Sequence, residues 1–226
     1  MKALRVIAAV MDYPREELWS HCGELLEAAR HAELPDARRA QLVAFLTSLL
    51  DRDVIDAQER WLEVFDRGRA MSLLLFEHIH GESRDRGQAM VDLIDTYRRN
   101  GEELATRELP DYLPVVLEHL SRRSDGEVRD WLGHIGHILE LLAARAHQRG
   151  SAYAVLFEML AELGQGHVDL DLMRRRVERE VPDDTPEAMD RVWEEEMVRF
   201  ADETTATCAP SPSHGVPEPS TVARPA

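Results

Sequence analysis

The sequence predicts an all-α protein, a single-domain bundle of about eight to ten helices followed by a disordered, acidic and proline-rich C-terminal tail. Three observations predict this class. Apolar residues recur three and four positions apart along most of the chain, which is the spacing of one helix face. No segment shows the every-second-residue alternation of a sheet strand. The length of 226 residues suits one domain with a tail.

Residues 1–166 are expected to form the helical domain. Apolar stripes mark its helices over Leu18–Ala29, Leu42–Leu50, Trp61–Phe65, Ala89–Tyr97, Val128–Leu142 and Tyr153–Leu163. The stripe Val128–Leu142 predicts the longest helix. Start and stop signals agree with these positions, because Pro35-Asp36 and Ser83 are typical of helix starts and Asn100-Gly101 is typical of a helix end.

The character of the chain changes beyond Gly166. Residues 167–200 are expected to form a charged extension that is helical in part, and Pro186 is a typical helix-start residue. Eleven acidic residues and three arginines lie between Glu178 and Glu203. Residues 201–226 have too little apolar content to fold, so they are predicted to be a disordered tail. The acidic run is either a solvated surface or a mobile arm that lies near a binding site when that site is empty.

The charge of the chain excludes several classes of partner. Asp and Glu number 43 against 27 Lys and Arg, which gives a net charge of −16. Nucleic acids and anionic membrane surfaces attract cationic proteins, so neither is an expected partner. The single lysine, Lys2, is not part of the Gly-Lys-Ser/Thr sequence of a phosphate-binding loop. Two cysteines, Cys22 and Cys208, fit a reducing compartment, and no apolar run is long enough to span a bilayer. We expect a cytoplasmic protein.

Two histidine spacings resemble metal-binding motifs. Glu77-x-x-His80 places a carboxylate and an imidazole on one helix face, but di-iron sites need a second such motif, which the chain lacks. His134-x-x-His137 has no cysteine or third histidine close in sequence. The chain is therefore expected to bind no metal or other cofactor and not to be an enzyme. A small metal-dependent helical enzyme that uses Glu77 and His80 is kept as an alternative.

The block Arg107-Glu-Leu-Pro-Asp-Tyr-Leu-Pro114 places two prolines four residues apart in an otherwise helical chain. Proline disfavours helix in the residue before it, so the block is expected to connect helices without being one. Asp111 is expected to cap a short helix, Pro114–Leu120, whose apolar residues return to the core. The block is either a rigid connection or the wall and hinge of a peptide groove.

Two blocks carry a resemblance to a known family. They are Leu73-Leu-Leu-Phe-Glu-His-Ile-His-Gly-Glu-Ser-Arg-Asp-Arg-Gly-Gln-Ala-Met90 and the block Arg107–Pro114. In this order they closely resemble the NarJ-type delta subunits, the molybdenum cofactor assembly chaperones of respiratory nitrate reductase. These belong to a wider family of redox enzyme maturation chaperones. The similarity covers roughly residues 1–165.

The resemblance implies a function and partners. A chaperone of this kind binds the N-terminal, leader-like segment of the apo catalytic (alpha) subunit of nitrate reductase in the cytoplasm. It supports insertion of the molybdenum cofactor, and by implication of an iron–sulfur cluster, before assembly at the membrane. Molybdenum cofactor biosynthesis proteins are further candidate partners, whereas nucleic acid and direct membrane insertion are not expected. An acidic chain suits a basic, apolar leader.

The residues expected at the client-peptide site or its hinge come from both blocks. They are Glu77, His78, His80, Arg86, Glu108, Pro110 and Asp111, with Leu73, Leu74, Phe76 and Leu117 as further candidates for the groove wall. Tyr112 departs from the pattern, since the wider family usually has histidine there and tyrosine cannot gain a proton near neutral pH. An assembly chaperone for a different molybdenum oxidoreductase, such as an amine-oxide or sulfoxide reductase, is the alternative with another client.

Overall fold

The computed structural model describes residues 1–79, 85–104, 108–165, 170–181, 183–185, 187–188 and 190. Within these ranges the protein is all-α, with twelve helices and no β-strand, which confirms the predicted fold class. The helices are α1 (Lys2–Met11), α2 (Glu16–Ser20), α3 (Cys22–Arg30), α4 (Asp36–Leu50), α5 (Val54–Phe65), α6 (Leu75–Ile79), α7 (Asp85–Arg99), α8 (Leu113–Leu120), α9 (Asp125–His134), α10 (Gly136–Gln148), α11 (Ala154–Leu163) and α12 (Leu170–Val177). The predicted tail 201–226 lies outside the described residues.

The chain divides into two units, Met1–Thr185 and Pro186–Ala226, and all twelve helices belong to the first. No helix of the described ranges combines the length and apolar content that a bilayer crossing requires.

Helix α1 lies in the core of the first unit. Seven of its ten residues are buried, and Leu4 and Ile7 have no exposed surface. It packs against α3 and α8. Helix α8 is also buried along most of its length, with Pro114 in its first turn, where the missing backbone N–H leaves no hydrogen bond unmade. The packed pair α1 and α8 therefore forms part of the apolar core, and the candidate site lies beside it.

A second group of helices surrounds α10, which packs against α9, α11 and α12. Helix α11 also contacts α4. Aromatic rings join α5 to this group, because the ring of Phe65 lies 4.8 Å from that of Tyr153 and 6.3 Å from that of Phe157, both in edge-on geometry. Such pairs add stabilisation beyond the burial of their area.

The prediction of one long helix over Val128–Leu142 is wrong, because the helix is interrupted at Ile135 and the segment forms two helices, α9 and α10. A reciprocal capping box of Ser124 and Glu127 starts α9. Its end presses against the end of α11, where a Cβ on Gly164 would lie 2.7 Å from the carbonyl carbon of Leu132. The stripe hides this break because Ile135 is itself buried. A similar break at His21 separates α2 from α3.

Candidate functional site

The two unusual blocks of the sequence cross each other in the structure. Leu74 and Tyr112 form an isolated antiparallel bridge. Beside it, the N–H of Leu113 donates to the carbonyl of Leu73 at 2.8 Å. These bonds satisfy backbone groups of a non-helical stretch that is buried. We call this region the crossing, and it consists of residues 72–79 and 108–113.

Asp111 is the central side chain of the crossing. It has no exposed surface, and its Oδ2 accepts a hydrogen bond of 3.0 Å from the N–H of Phe76 at the start of α6. The expected role as a cap of Pro114–Leu120 is wrong, because α8 begins at Leu113 behind Tyr112 and has no side-chain cap. The backbone bridge holds Asp111 against α6 before the chain turns into α8. Its second oxygen, Oδ1, has no hydrogen-bond partner among the described residues.

Glu77 and His78 belong to the crossing on α6, and Arg86 lies beside it on α7. An ion pair of 3.4 Å between Glu77 Oε1 and Arg86 Nη2 joins the two helices. His78 Nε2 donates to the carbonyl of Ser72 at 2.8 Å. Burial, and to a lesser degree the charge of Arg145, lowers the pKa of His78, although the bond to Ser72 opposes the shift. The imidazole is therefore neutral near pH 7.

Two tyrosine hydroxyl groups stabilise the second segment of the crossing, residues 108–113, through hydrogen bonds. The hydroxyl of Tyr97 donates to the carbonyl of Pro110 at 2.7 Å in a buried position. The hydroxyl of Tyr112 donates to Asp12 Oδ1 at 3.0 Å, at the end of α1. Burial and the adjacent Asp12 carboxylate raise the pKa of Tyr112 above its usual range. The position where the wider family usually has histidine thus holds a neutral hydrogen-bond donor in this chain.

A cavity of about 280 Å³, which we call the acidic cavity, opens where residues 108–114 meet α1 and α8. Charged side chains of both signs line it, and the carboxylates outnumber the guanidinium groups: Asp12, Glu102, Glu103, Glu108 and Glu118 against Arg15 and Arg122. Apolar atoms of Ala8, Ala9, Leu104, Pro114 and Val115 lie among them. Glu103 and Glu118 form no ion pair within the described chain. These two carboxylates are therefore available to a cationic occupant.

Glu102, in contrast, is committed to the fold. It accepts a hydrogen bond of 2.5 Å from His119 Nδ1 and another of 2.8 Å from Arg123 Nη2. Burial alone would raise the pKa of Glu102, but the hydrogen bond from His119 and the charges of His119 and Arg123 outweigh it and lower that pKa. The network fixes one wall of the acidic cavity and keeps this carboxylate ionised.

A second cavity of about 790 Å³ continues along α1, and its lining comes from α1, α3 and the end of α8. The two cavities share Ala9, Glu118 and Arg122. We call the two adjoining cavities together the α1 groove. Its floor is the accessible edge of α1, where Lys2, Arg5, Ala9 and Asp12 follow one another three and four residues apart. Val6, Leu25 and Ala28 add apolar surface. A mixed lining of this kind suits an amphipathic segment.

The structure places the predicted site residues in distinct environments. Leu73, Pro110, Asp111 and Leu117 are buried, and Leu117 belongs to the hydrophobic core. Leu74, Phe76, Glu77, His78 and Arg86 are half-buried at or beside the crossing. Glu108 lines the acidic cavity. His80 lies outside the described residues.

Several residues of the α1 groove were not predicted from the sequence. Asp12 ends α1, and Glu102-Glu103 follow Gly101, whose φ of +73° marks the turn after α7. A polar residue just after a predicted helix end is generally exposed, so the sequence could have predicted that these acids lie on the surface. Only the packing of α1 on α8 shows that these residues share one cavity.

The part of the chain that the structure describes contains no complete set of ligands for the metal site considered as an alternative. Glu77 is paired with Arg86. His134 is exposed, and its Nδ1 contacts the carbonyl of Asp130 on its own helix. No group of three His, Cys, Asp or Glu side chains among the described residues is arranged to hold a metal ion.

Comparison with known proteins gives one consistent result. The model of the nitrate reductase delta subunit family matches residues 31–159. The chain is 48% identical over 201 residues to the nitrate reductase molybdenum cofactor assembly chaperone NarJ of Escherichia coli strain K12, covering 88% of this chain and 85% of that protein. It is 44% identical over 212 residues to the probable nitrate reductase molybdenum cofactor assembly chaperone NarW of the same strain, covering 94% and 89%. It is 27% identical over 166 residues to the probable nitrate reductase molybdenum cofactor assembly chaperone NarJ of Bacillus subtilis strain 168, covering 68% and 83%. This chain belongs to the nitrate reductase delta subunit family.

Proposed function

We propose that this protein is an assembly chaperone of respiratory nitrate reductase. It binds the N-terminal segment of the apo catalytic subunit in the cytoplasm and supports insertion of the molybdenum cofactor and of an iron–sulfur cluster before assembly at the membrane. It does so without a catalytic centre, and molybdenum cofactor biosynthesis proteins are its further partners. The similarity to the chaperones NarJ and NarW supports this function, and so does one feature of this chain, the α1 groove.

The groove has the chemistry that a basic, apolar peptide requires. The apolar side chains of Val6, Leu25 and Ala28 in its lining offer burial to the apolar face of an amphipathic segment, which supplies most of the binding free energy. Glu103 and Glu118 lie at the part of the groove where carboxylates dominate. They favour encounter with a cationic segment and select against an acidic one. The net charge of −16 has the same effect at longer range.

The crossing is proposed to act as the hinge of this groove. Tyr112 belongs to both, because its backbone pairs with Leu74 while its side chain lines the acidic cavity and bonds to Asp12. A shift of the crossing therefore moves one wall of the groove. Asp111, buried and capping α6, holds the crossing in register. The expected site residues Glu77, His78, His80 and Arg86 are proposed to support this hinge, and Glu108 to contact the client.

The test is a calorimetric titration of the full chain with a synthetic N-terminal peptide of its nitrate reductase catalytic subunit. A scrambled peptide of equal charge is the control. We expect saturable one-to-one binding of the native peptide alone. The double variant Glu103→Gln/Glu118→Gln should raise Kd about two- to thirty-fold, since each exposed charge contact contributes about 0.2–1 kcal/mol.

A matched variant, Glu16→Gln/Glu59→Gln, removes the same charge from exposed positions that line neither cavity. It should leave Kd within about twofold, because only screened long-range attraction changes. Equal losses in both variants would mean that net charge, not the groove, attracts the peptide. Equal binding of native and scrambled peptides would sink the proposal. Tighter binding of a leader peptide from an amine-oxide or sulfoxide reductase would assign the chaperone to that client.

A further inference from the structure

A cavity separate from the α1 groove has a lining in which arginines outnumber acids. It has a volume of about 570 Å³ and shares no lining residue with the two cavities of the groove. Four arginines line it, Arg52, Arg60, Arg67 and Arg149, against the two acids Glu63 and Asp184. The lining thus holds two more cations than acids, in a chain with a net charge of −16. We call it the arginine cavity.

The ion pairs on one side of the arginine cavity leave cationic charge in excess. Arg52 and Arg60 share a single carboxylate, that of Asp56, at 3.2 Å and 3.3 Å. Arg67 is paired loosely with Glu63 at 3.9 Å. Three guanidinium groups therefore face two carboxylates. The side chains of Arg60 and Arg67 are 55% and 56% exposed, so both can swing onto a ligand at little cost.

The opposite corner of the cavity already holds anionic groups of the chain itself. Arg149 Nη2 lies 2.9 Å from Asp183 Oδ1, and Arg149 Nε lies 3.5 Å from Asp184 Oδ2. Asp183 is also fixed by the backbone, since its Oδ2 accepts a hydrogen bond of 2.6 Å from the N–H of Ala70. Asp184 lines the cavity and has no second bond of this kind in the described chain. Its carboxylate occupies a place that an anionic ligand would take.

The floor of the cavity is apolar and aromatic. The buried rings of Phe45 and Tyr153 lie 5.1 Å apart in edge-on contact, and the hydroxyl-bearing Ser48 and Ser151 stand beside them. A volume of several hundred cubic ångströms with an apolar floor and a few charged groups is typical of small-molecule sites. Guanidinium groups match phosphate oxygens in pairs and stay charged at any physiological pH.

We propose that the arginine cavity binds a small molecule that joins phosphate groups to a ring system, the chemical class of the nucleotides. The phosphates lie against Arg60 and Arg67, with Arg52 behind them, and the ring lies over the aromatic floor. The carboxylate of Asp184 competes with the ligand for Arg149. The site is independent of the peptide groove, and the proposal does not rest on the client.

The experiment is calorimetric titration of the full chain with adenosine diphosphate and guanosine diphosphate, with pyrophosphate and guanosine as comparison probes. We expect at least one of the two diphosphates to bind more tightly than either comparison probe. Arg60→Ala/Arg67→Ala should weaken that binding at least about tenfold, because charge-assisted hydrogen bonds to phosphate are lost. Arg30→Ala/Arg98→Ala, which removes two arginines of similar exposure elsewhere, should leave it unchanged.

Asp184→Asn supplies a gain of binding that misfolding cannot mimic. Removing this carboxylate frees Nε of Arg149, while Nη2 stays paired with Asp183, so the diphosphate should bind about two- to fivefold more tightly. Absence of binding at millimolar concentration, or equal losses in the two double-arginine variants, would overturn the site. Equal affinity for pyrophosphate and the diphosphates would overturn the part played by the ring. Binding of the leader peptide remains measurable in every variant, because the groove shares none of these residues.

Discussion

Replacing Asp111 with alanine removes a contact that ties two distant parts of the chain together. In the wild-type protein the carboxylate accepts the N–H of Phe76 at 3.0 Å, thirty-five residues away in sequence. The substitution leaves that N–H, at the start of α6, without its partner. A helix-capping side chain contributes about 0.5–2 kcal/mol to stability. A hydrogen bond to a charged group contributes about 1.5–3 kcal/mol.

Two features of the structure determine how much of the free energy of unfolding is lost. Asp111 is fully buried, so water does not replace the lost bond. Its Oδ1 has no partner among the described residues, so the substitution also removes a poorly solvated atom. We expect the free energy of unfolding to fall by about 1–2 kcal/mol. In a protein of this size that lowers the melting temperature by about 2–8 °C.

The assay compares Asp111→Ala with Asp53→Ala by thermal unfolding and by peptide titration. Asp53 is an ordinary local cap, whose Oδ1 accepts the N–H of Asp56 at 2.8 Å, so its loss should be similar in size. Only Asp111→Ala should weaken peptide binding in addition, because it loosens the crossing. A loss of stability below about 0.5 kcal/mol would refute the cap. Equal effects of the two variants on peptide binding would refute the hinge.

Three further substitutions test other contacts. Tyr112→Phe should lower the unfolding free energy by about 0.5–1.5 kcal/mol in a urea titration, and the same loss in an Asp12→Ala background would show that their hydrogen bond is not the cause. Burial lowers the pKa of His78 in the folded protein below its ordinary value of 6.5. The contribution of neutral His78 to the free energy of unfolding should therefore be fully present above pH 6.5 and decline as the pH falls below it. His78→Gln should flatten that decline in pH-dependent melting curves, and an unchanged slope would contradict the assignment. Gly164→Ala should cost about 1–3 kcal/mol because its Cβ would meet the backbone of α9, whereas Gly126→Ala, with open space around it, should not destabilise beyond about 1 kcal/mol.

The fold class was predictable because it depends on local periodicity. Apolar stripes located most of the helices, and Asn100-Gly101 correctly marked the end of α7 at Arg99. The break at Ile135 was not predictable in this way, because a buried residue there continues the stripe across two helices. Beside the break, Gly164 lies against Leu132 at the end of α9, a close approach of residues distant in sequence that no local pattern shows.

The site followed the same division. The two blocks that carry the family resemblance were recognisable as unusual sequence, and the family assignment is confirmed. Their pairing was not predicted, so Asp111 was assigned to the helix next in sequence rather than to α6. The α1 groove was missed because Asp12 and Glu118 are ordinary exposed acids until α1 packs on α8. Long-range contacts of this kind leave no local pattern.

The packing of α1 on α8 also has a consequence for synthesis on the ribosome. Helix α1 is translated before α8, and α8, which covers much of its apolar surface, begins about a hundred residues later, at Leu113. At about 5–20 residues per second, the nascent chain exposes α1 for roughly 5–20 s before α8 is made. During that interval a segment rich in Leu, Val and Ile is open to aggregation. The proposed peptide-binding chaperone therefore exposes an apolar segment of its own until α8 is available to cover it.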